Sequence, residues 1–166
     1  GAACVPLVAR VLPKLAAGTQ TFTEQDHWAA TYCRKLQKED GVLDFQQPAR
    51  VLAARINGLF PWPGCSVTLR DQRVKLGLAD VAAIAGLAGA PGEVVGRDHD
   101  GLLVKTGDGV LRLRNLQRPG GRLLGANEFL RGFDVPVGTV IPSEPMPALI
   151  VPDRKSTRLN SSHSQQ

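Results

Sequence analysis

The chain has 166 residues, a hydrophobic fraction of 43% and a formal net charge of +5, values that suit one packed domain with part of a second. Aromatic residues make up 5%, and the 18 glycines and 12 prolines favour short strands joined by turns. No apolar run approaches the roughly 18 to 20 residues that span a bilayer, and the chain does not open on a signal-peptide pattern. We therefore expect a cytoplasmic protein without a membrane partner.

Two helices are predicted in the first sixty residues. Val8–Leu15 has apolar residues on one helical face, and Pro13 inside this pattern is expected to kink or split the helix. Pro48–Phe60 is the clearer prediction, because proline is favoured at the first helical position and an apolar stripe follows it. Trp62, between two prolines just after this helix, is expected to pack into the core. The alternative for Trp62 is a platform on which nucleic-acid bases stack.

After Gly64 the apolar period changes to two, which indicates short antiparallel strands. The predicted strands are Cys65–Leu69, 74–78, Glu93–Arg97, Leu102–Thr106, Val110–Leu116 and Val135–Ile141. A short helix is predicted at Ala126–Arg131. Sheets of this kind must protect their edges. We therefore predict a mainly β fold with flanking helices: a small, OB-like, partly open β-barrel preceded by a helical linker segment.

The polar segment that ends the chain, Asp153–Gln166, is expected to be non-native. Its first eleven residues can be back-translated into a common sequencing adapter read in frame, so the segment is left out of the fold prediction. It carries Arg154, Lys155 and Arg158 against Asp153, and removing it lowers the net charge from +5 to +3. The remaining charge permits an anionic partner without requiring one.

Neither cysteine nor histidine predicts a catalytic or metal site. Three scattered cysteines have no metal-ligand spacing, which is typical of buried thiols in a reducing compartment. Outside the polar tail the histidines are His27 and His99, and neither has a catalytic neighbourhood in the sequence. The Asp98–His99–Asp100 triplet lies at a predicted hairpin tip, where solvated polar residues are common.

Several ordered motifs resemble the carboxy-terminal half of methionyl-tRNA formyltransferases. The motifs are ATYCRKLQKEDG with Leu43-Asp44-Phe45, then PWPG at Pro61–Gly64, APG at Ala90–Gly92, TGDG at Thr106–Gly109, LQRPGG at Leu116–Gly121 and FLRG at Phe129–Gly132. They occur in the family's order over most of Val5–Gly132. The departures are Cys33 for the family's Ala, Phe45 for its Trp, and Phe60 for the Asn that precedes PWPG.

The resemblance implies a division of the chain and a function. Residues 1–22 would be the end of an amino-terminal formyltransferase domain, 23–41 a linker, 42–152 an OB-like tRNA-binding domain, and 153–166 the non-native tail. The parent enzyme would transfer a formyl group from 10-formyltetrahydrofolate to methionyl-initiator tRNA. The catalytic and folate-binding residues would lie upstream of Gly1, so the chain alone is expected to be inactive, monomeric and without a bound cofactor.

Three cationic clusters are candidates for phosphate contacts. The first is the linker set Arg34, Lys35 and Lys38, which the resemblance favours because Lys35 and Lys38 match the family's two linker lysines. The second set, around the first hairpin, is Arg70, Arg73 and Lys75. The third is Arg112, Arg114, Arg118 and Arg122. Each cluster could instead be a solvated surface, with Glu39, Asp40 and Asp71 weakening the field.

Two other functions remain open from the sequence. Related folate-dependent formyl hydrolases and sugar formyltransferases carry similar domains, although the linker motif fits the tRNA enzyme better. A stand-alone OB-like nucleic-acid-binding module is the third possibility. The apolar face of Val8–Leu15 argues against it, since a free module would leave that face largely uncovered.

Overall fold

A computed structural model describes residues 2–26, 29, 32–84 and 86–151. The predictions for the polar tail, for His27 and for the Ala30-Thr31 start of the linker motif lie outside these residues. The chain divides into two compact units, one that includes the described residues up to Tyr32 and one formed by Cys33–Val151. In the described residues, no helix combines the length and the apolar character required to cross a membrane.

The first unit contains helix α1, Cys4–Ala16. Val8, Leu12 and Leu15 follow the predicted helical spacing, and no residue of α1 is buried. Pro13 lies inside the helix. Of the two expected outcomes, a kink or a split, the split is excluded, because the assigned helix continues through Pro13 to Ala16.

The second unit is built around one antiparallel sheet. Its strands are β2 (Cys65–Leu69), β3 (Gln72–Val81), β4 (Val94–Arg97), β5 (Leu102–Lys105), β6 (Val110–Gln117) and β7 (Leu123–Gly125). They are ordered β2-β3-β6-β5-β4, with β7 also paired to β6. Two shorter strands, β1 (Tyr32–Cys33) and β8 (Ile150–Val151), lie outside this sheet.

Two helices accompany the sheet, as predicted. Helix α2 (Ala49–Leu59) begins directly after Pro48, and its apolar stripe is buried through Leu52, Ile56 and Leu59. Helix α3 (Ala126–Gly132) follows β7 and buries Phe129 and Leu130. The mainly β fold with flanking helices is therefore confirmed. Among the described strands the sheet is not closed into a barrel, since β2 and β4 at its two ends do not pair with each other.

The core consists mainly of aliphatic side chains, and the predicted alternation places most of them. Leu111 and Leu113 of β6 are fully buried, whereas Arg112 and Arg114 point to the other face. In β3 the pattern fails after Leu76, because register shifts flank Leu78 and turn it outward while Ala79 becomes buried. This irregularity places Leu78 and Ala79 on the faces opposite to those that strict alternation predicts.

The segment between Val135 and Ile141 is not a strand, so that prediction is wrong. Both end residues are buried, but Gly138 adopts a positive φ of 88° within a turn, and Thr139 donates a backbone hydrogen bond back to Pro136. Pro136 has no N–H to give to a strand ladder. One isolated bridge, between Glu93 and Val140, is the pairing observed there.

The linker is less helical than predicted in its described part. Residues 34–37 have no regular secondary structure, and a single 3-10 turn follows at Lys38–Gly41. This turn packs directly against the PWPG segment, since a β-carbon on Gly41 would overlap the carbonyl oxygen of Gly64. The linker motif and the PWPG motif are therefore adjacent in space, although 19 residues (42–60) separate them in the sequence.

Candidate nucleic-acid interface

The linker set consists of one arginine with a structural role and two lysines whose ammonium groups have no partner among the described residues. Both terminal nitrogens of the Arg34 guanidinium donate hydrogen bonds to the Asp40 carboxylate. The distance from Nη1 to Oδ2 is 2.9 Å. The Asp40 side chain is only 1% exposed, and its Oδ2 also accepts the Gln37 amide at 2.7 Å. The charge of Arg34 is thus compensated within the linker and serves to hold the 3-10 turn.

The pKa of Asp40 lies below its ordinary value. Hydrogen bonds from Arg34 stabilise the carboxylate, burial acts in the opposite direction, and the Gln37 amide adds to the lowering. Arg55 of α2 contributes a smaller electrostatic effect and also donates from Nε to the Asp40 carbonyl at 3.1 Å. The linker turn is therefore fastened to helix α2 as well as to its own arginine.

Lys35 and Lys38 are exposed, and no ion pair or hydrogen bond of either ammonium is found among the described residues. Lys38 lines a surface depression of about 460 Å³ together with Glu39, Arg73 and Glu144. This depression brings one residue of the linker cluster and one residue of the first-hairpin cluster onto the same surface.

The hairpin formed by β2 and β3 orients Arg73 and Lys75 outward. The two residues alternate with the buried Val74 and Leu76 and lie opposite Thr68 and Ser66 of β2. Arg73 contacts Glu144 at 3.1 Å, a half-exposed ion pair that leaves much of the guanidinium in solvent. Such pairs hold a side chain in place at little energetic gain.

Lys75 is held at the PWPG turn. Its Nζ donates to the carbonyl oxygen of Pro61 at 2.9 Å and lies 5.6 Å from the ring centroid of Phe60. Neither partner is a carboxylate, so the positive charge of Lys75 remains available to an anion. We refer to Lys35, Lys38, Arg73 and Lys75 together as the basic surface.

Arg70, the remaining predicted contact residue, has different neighbours. It lies in the β2–β3 turn with a positive φ of 45° and donates to the carbonyl oxygen of Asp134 at 3.1 Å. Its guanidinium carbon is 5.7 Å from the ring centroid of Phe133, and that of Arg118 is 5.8 Å from the same ring. The guanidinium groups of Arg70 and Arg118 therefore lie over the same aromatic ring, that of Phe133.

The third predicted cluster is largely neutralised. Arg112 contacts Asp98 at 3.1 Å, with Asp80 and Asp100 each at 3.5 Å, and Arg114 contacts Asp80 at 3.0 Å and Asp100 at 3.3 Å. We call these five residues the arginine–aspartate network. Arg118 and Arg122, in contrast, are exposed.

Two residues of the hairpin-tip triplet, Asp98 and Asp100, belong to the arginine–aspartate network. Burial acts to raise the pKa of Asp98. The amides of Asp100 and Gly101, with Arg112 and His99, lower it, and the net pKa is below the ordinary value. His99 Nε2 lies 3.1 Å from Asp100, and the described residues contain no group of three or more His, Cys, Asp or Glu side chains arranged to hold a metal ion.

The remaining thiol and aromatic predictions have mixed outcomes. Cys65 is buried, as expected of a structural thiol, whereas Cys4 is exposed, so the expectation of buried thiols is wrong for Cys4. Burial raises the pKa of Cys65 to about 11 against a smaller opposing effect of Arg55. The core role of Trp62 is wrong, because this side chain is 58% exposed. It lies in the turn that follows α2.

The fold and the ordered motifs define a class. The family described as "Formyl transferase, C-terminal domain" matches residues 35–134, and the chain belongs to this family. Among individual relatives, the chain is 40% identical over 138 residues to the methionyl-tRNA formyltransferase of Pseudomonas fluorescens (strain SBW25), a match that covers 82% of the chain and 43% of the relative. It is 40% identical over 122 residues to that of Burkholderia thailandensis, covering 74% of the chain and 37% of the relative. The chain thus spans less than half the length of the curated relatives it matches.

Solved structures show a similar fold. A crystal structure of a HypX variant from Aquifex aeolicus has a TM-score of 0.57 and 22% identity, covering 78% of this chain and 23% of that one. The same protein in complex with tetrahydrofolic acid has a TM-score of 0.55 and 22% identity, covering 76% and 22%. At this identity the likeness concerns the fold alone.

Proposed function

We propose that this chain is the tRNA-binding part of a methionyl-tRNA formyltransferase. The whole enzyme would transfer a formyl group from 10-formyltetrahydrofolate to the amino group of methionyl-initiator tRNA at the start of protein synthesis. Family membership and the names of the relatives support the enzyme class. We assign formyl transfer and folate binding to the part of these relatives that this chain does not match, and we expect a cytoplasmic monomer.

The main observation in support of tRNA binding is that Lys38 and Arg73 line the same surface depression. Two sequence-distant cations share a surface, Lys75 lies on the same strand face as Arg73, and Lys35 precedes the same linker turn. Clustered cations that lack strong carboxylate partners bind phosphates by releasing counterions from the nucleic acid. Glu39 and Glu144 lie beside the cations and reduce this attraction without removing it.

Among the candidate contact residues, we propose Lys35, Lys38, Arg73 and Lys75 as phosphate contacts. Arg34 would act indirectly, by holding the linker turn through Asp40. Arg70 would act apart from the basic surface, together with Arg118. Arg112 and Arg114 are already paired with aspartates and are not proposed as contacts.

Binding of the 166-residue chain to initiator tRNA across a salt series tests this function. The Lys35→Ala/Lys38→Ala variant should bind more weakly and reduce the steepness of the salt dependence by roughly two, about one for each lost phosphate contact. The Arg50→Ala/Arg97→Ala variant removes two exposed cations outside the basic surface and is the matched control. Absence of binding by the unaltered chain at low salt would contradict the tRNA role and favour a formyltransferase relative with a different substrate.

A further inference from the structure

An exposed aromatic side chain stands beside the basic surface. Trp62 is 58% exposed and Phe60 is 37% exposed, although tryptophan is on average among the more buried residues of folded proteins. Both belong to the segment that follows α2 and leads into β2. Trp62 lies between Pro61 and Pro63 in this turn, and its exposed indole is not part of the core of the second unit.

One cation of the basic surface, Lys75, contacts this turn directly, and the linker turn that contains Lys38 packs against its end. Lys75 donates to the carbonyl oxygen of Pro61, which directly precedes Trp62. The 3-10 turn that begins at Lys38 packs with Gly41 against Gly64. The indole therefore lies next to positions where phosphates of a bound RNA would be held.

The two aromatic rings are not equivalent. The ammonium of Lys75 lies over the ring of Phe60 at 5.6 Å from its centroid, so one face of that ring already interacts with a cation. Trp62 has the larger ring system and the greater exposure. An indole face stacks on any nucleobase, because every base offers a π surface.

We propose that Trp62 stacks against an unpaired base of the RNA whose phosphates the basic surface holds. This inference rests on the proposed function and adds a second kind of contact to it. Lys38, Arg73 and Lys75 would neutralise the backbone, and Trp62 would select RNA in which a nucleotide near that backbone is free of a base pair. A paired region would present phosphates but no base face to the indole.

The stacking contact has a signature that differs from that of a phosphate contact. Trp62→Ala should weaken binding of initiator tRNA by on the order of 10- to 100-fold. The steepness of the salt dependence should stay unchanged, because no phosphate is lost. Trp62→Phe should retain most of the affinity. The exposure of Trp62 makes unfolding of these variants unexpected, and thermal unfolding checks it.

Two short RNAs sharpen the test, a blunt duplex and the same duplex with a single-stranded extension. The unaltered chain should prefer the extended RNA, and Trp62→Ala should lose this preference. In a Trp28→Phe background, the remaining Trp62 fluorescence should be quenched by the extended RNA. The affinity comparison needs no change at Trp28, so it stands if that background folds poorly.

The possible outcomes separate the two proposals. Binding that depends on Lys35 and Lys38 but is unaffected by Trp62→Ala would overturn stacking while leaving the tRNA role intact. A Trp62→Ala variant with a changed salt slope would also overturn stacking. Failure of the unaltered chain to bind any of these RNAs would overturn both proposals.

Discussion

The arginine–aspartate network and the basic surface are both cationic clusters in the sequence, and they differ in what surrounds each charge. Arg112 and Arg114 face Asp80, Asp98 and Asp100 at 3.0 to 3.5 Å. Lys38 and Lys75 have no carboxylate partner among the described residues, and Arg73 has one that is half exposed. The position of the carboxylates, more than the number of cations, therefore decides which cluster can bind an anion.

The largest expected effect comes from breaking the network. Arg112 is 17% exposed and contacts three carboxylates, so Arg112→Met would leave Asp98 without its arginine and Asp80 and Asp100 with Arg114 alone. We expect the free energy of unfolding to fall by about 3 kcal/mol, measured by urea denaturation at neutral pH. Arg97→Met, at an exposed position on β4, is the control and should change stability by no more than about 0.5 kcal/mol. A loss below about 1 kcal/mol for Arg112→Met would show that the network is not structural.

A smaller effect is expected at the buried pair that supports the basic surface. Asp40→Asn should lower the free energy of unfolding by about 2 kcal/mol, because charge-assisted hydrogen bonds from Arg34 and the Gln37 amide are weakened. Asp71→Asn is a matched control at an exposed turn with a positive φ of 64°, a conformation that asparagine tolerates. Equal destabilisation by the two substitutions would contradict a special role for Asp40.

The Arg34–Asp40 pair makes the free energy of unfolding depend on pH in a predictable direction. A carboxyl whose pKa is lowered on folding stabilises the folded chain fully above its unfolded pKa of about 3.9. That stabilisation is lost as the pH falls through the lowered pKa of the folded state. The stability difference between the unaltered chain and Asp40→Asn should therefore be constant near neutral pH and shrink below about pH 4. A difference that grows on acidification would show that the pKa of Asp40 is not lowered.

The smallest expected effect comes from removing the partial compensation on the basic surface. Glu144→Gln would remove the one carboxylate that pairs with Arg73 among the described residues. We expect RNA to bind up to about fivefold more tightly, with stability changed by less than about 1 kcal/mol. Glu128→Gln removes an exposed carboxylate on α3 and should leave binding unchanged. A Glu144→Gln variant that binds RNA more weakly would mean that the ion pair positions Arg73 for the contact.

The sequence predicts the elements whose periods are local and misses features that depend on distant contacts. The helix after Pro48, the hairpin around Asp98–Gly101 and the alternation in β6 follow from spacing and turn residues. The bulge beside Leu78 depends on how β3 meets β6. The exposure of Trp62 likewise depends on where the turn after α2 lies, which composition alone does not reveal.

The sequence predicts part of the candidate site and misses the rest, again because the missed features depend on distant contacts. Lys35 and Lys38 are exposed as expected, but nothing in their shared motif separates them from Arg34, whose partner Asp40 is six residues away. The pairing of Arg112 with Asp80 could have been found from strand register, since the two residues are opposite each other in β6 and β3. The sequence does not show that Lys38 and Arg73 line the same depression, because this proximity arises when the chain folds.

The central claim is that the basic surface contacts RNA and the arginine–aspartate network does not. The most direct test is the salt dependence of initiator tRNA binding by two charge-matched variants, Lys38→Gln and Arg114→Gln, at a temperature where both are folded. We predict that Lys38→Gln lowers the steepness of the salt dependence by about one, while Arg114→Gln leaves it unchanged. An equal reduction in both variants, or a reduction in Arg114→Gln alone, would contradict the claim.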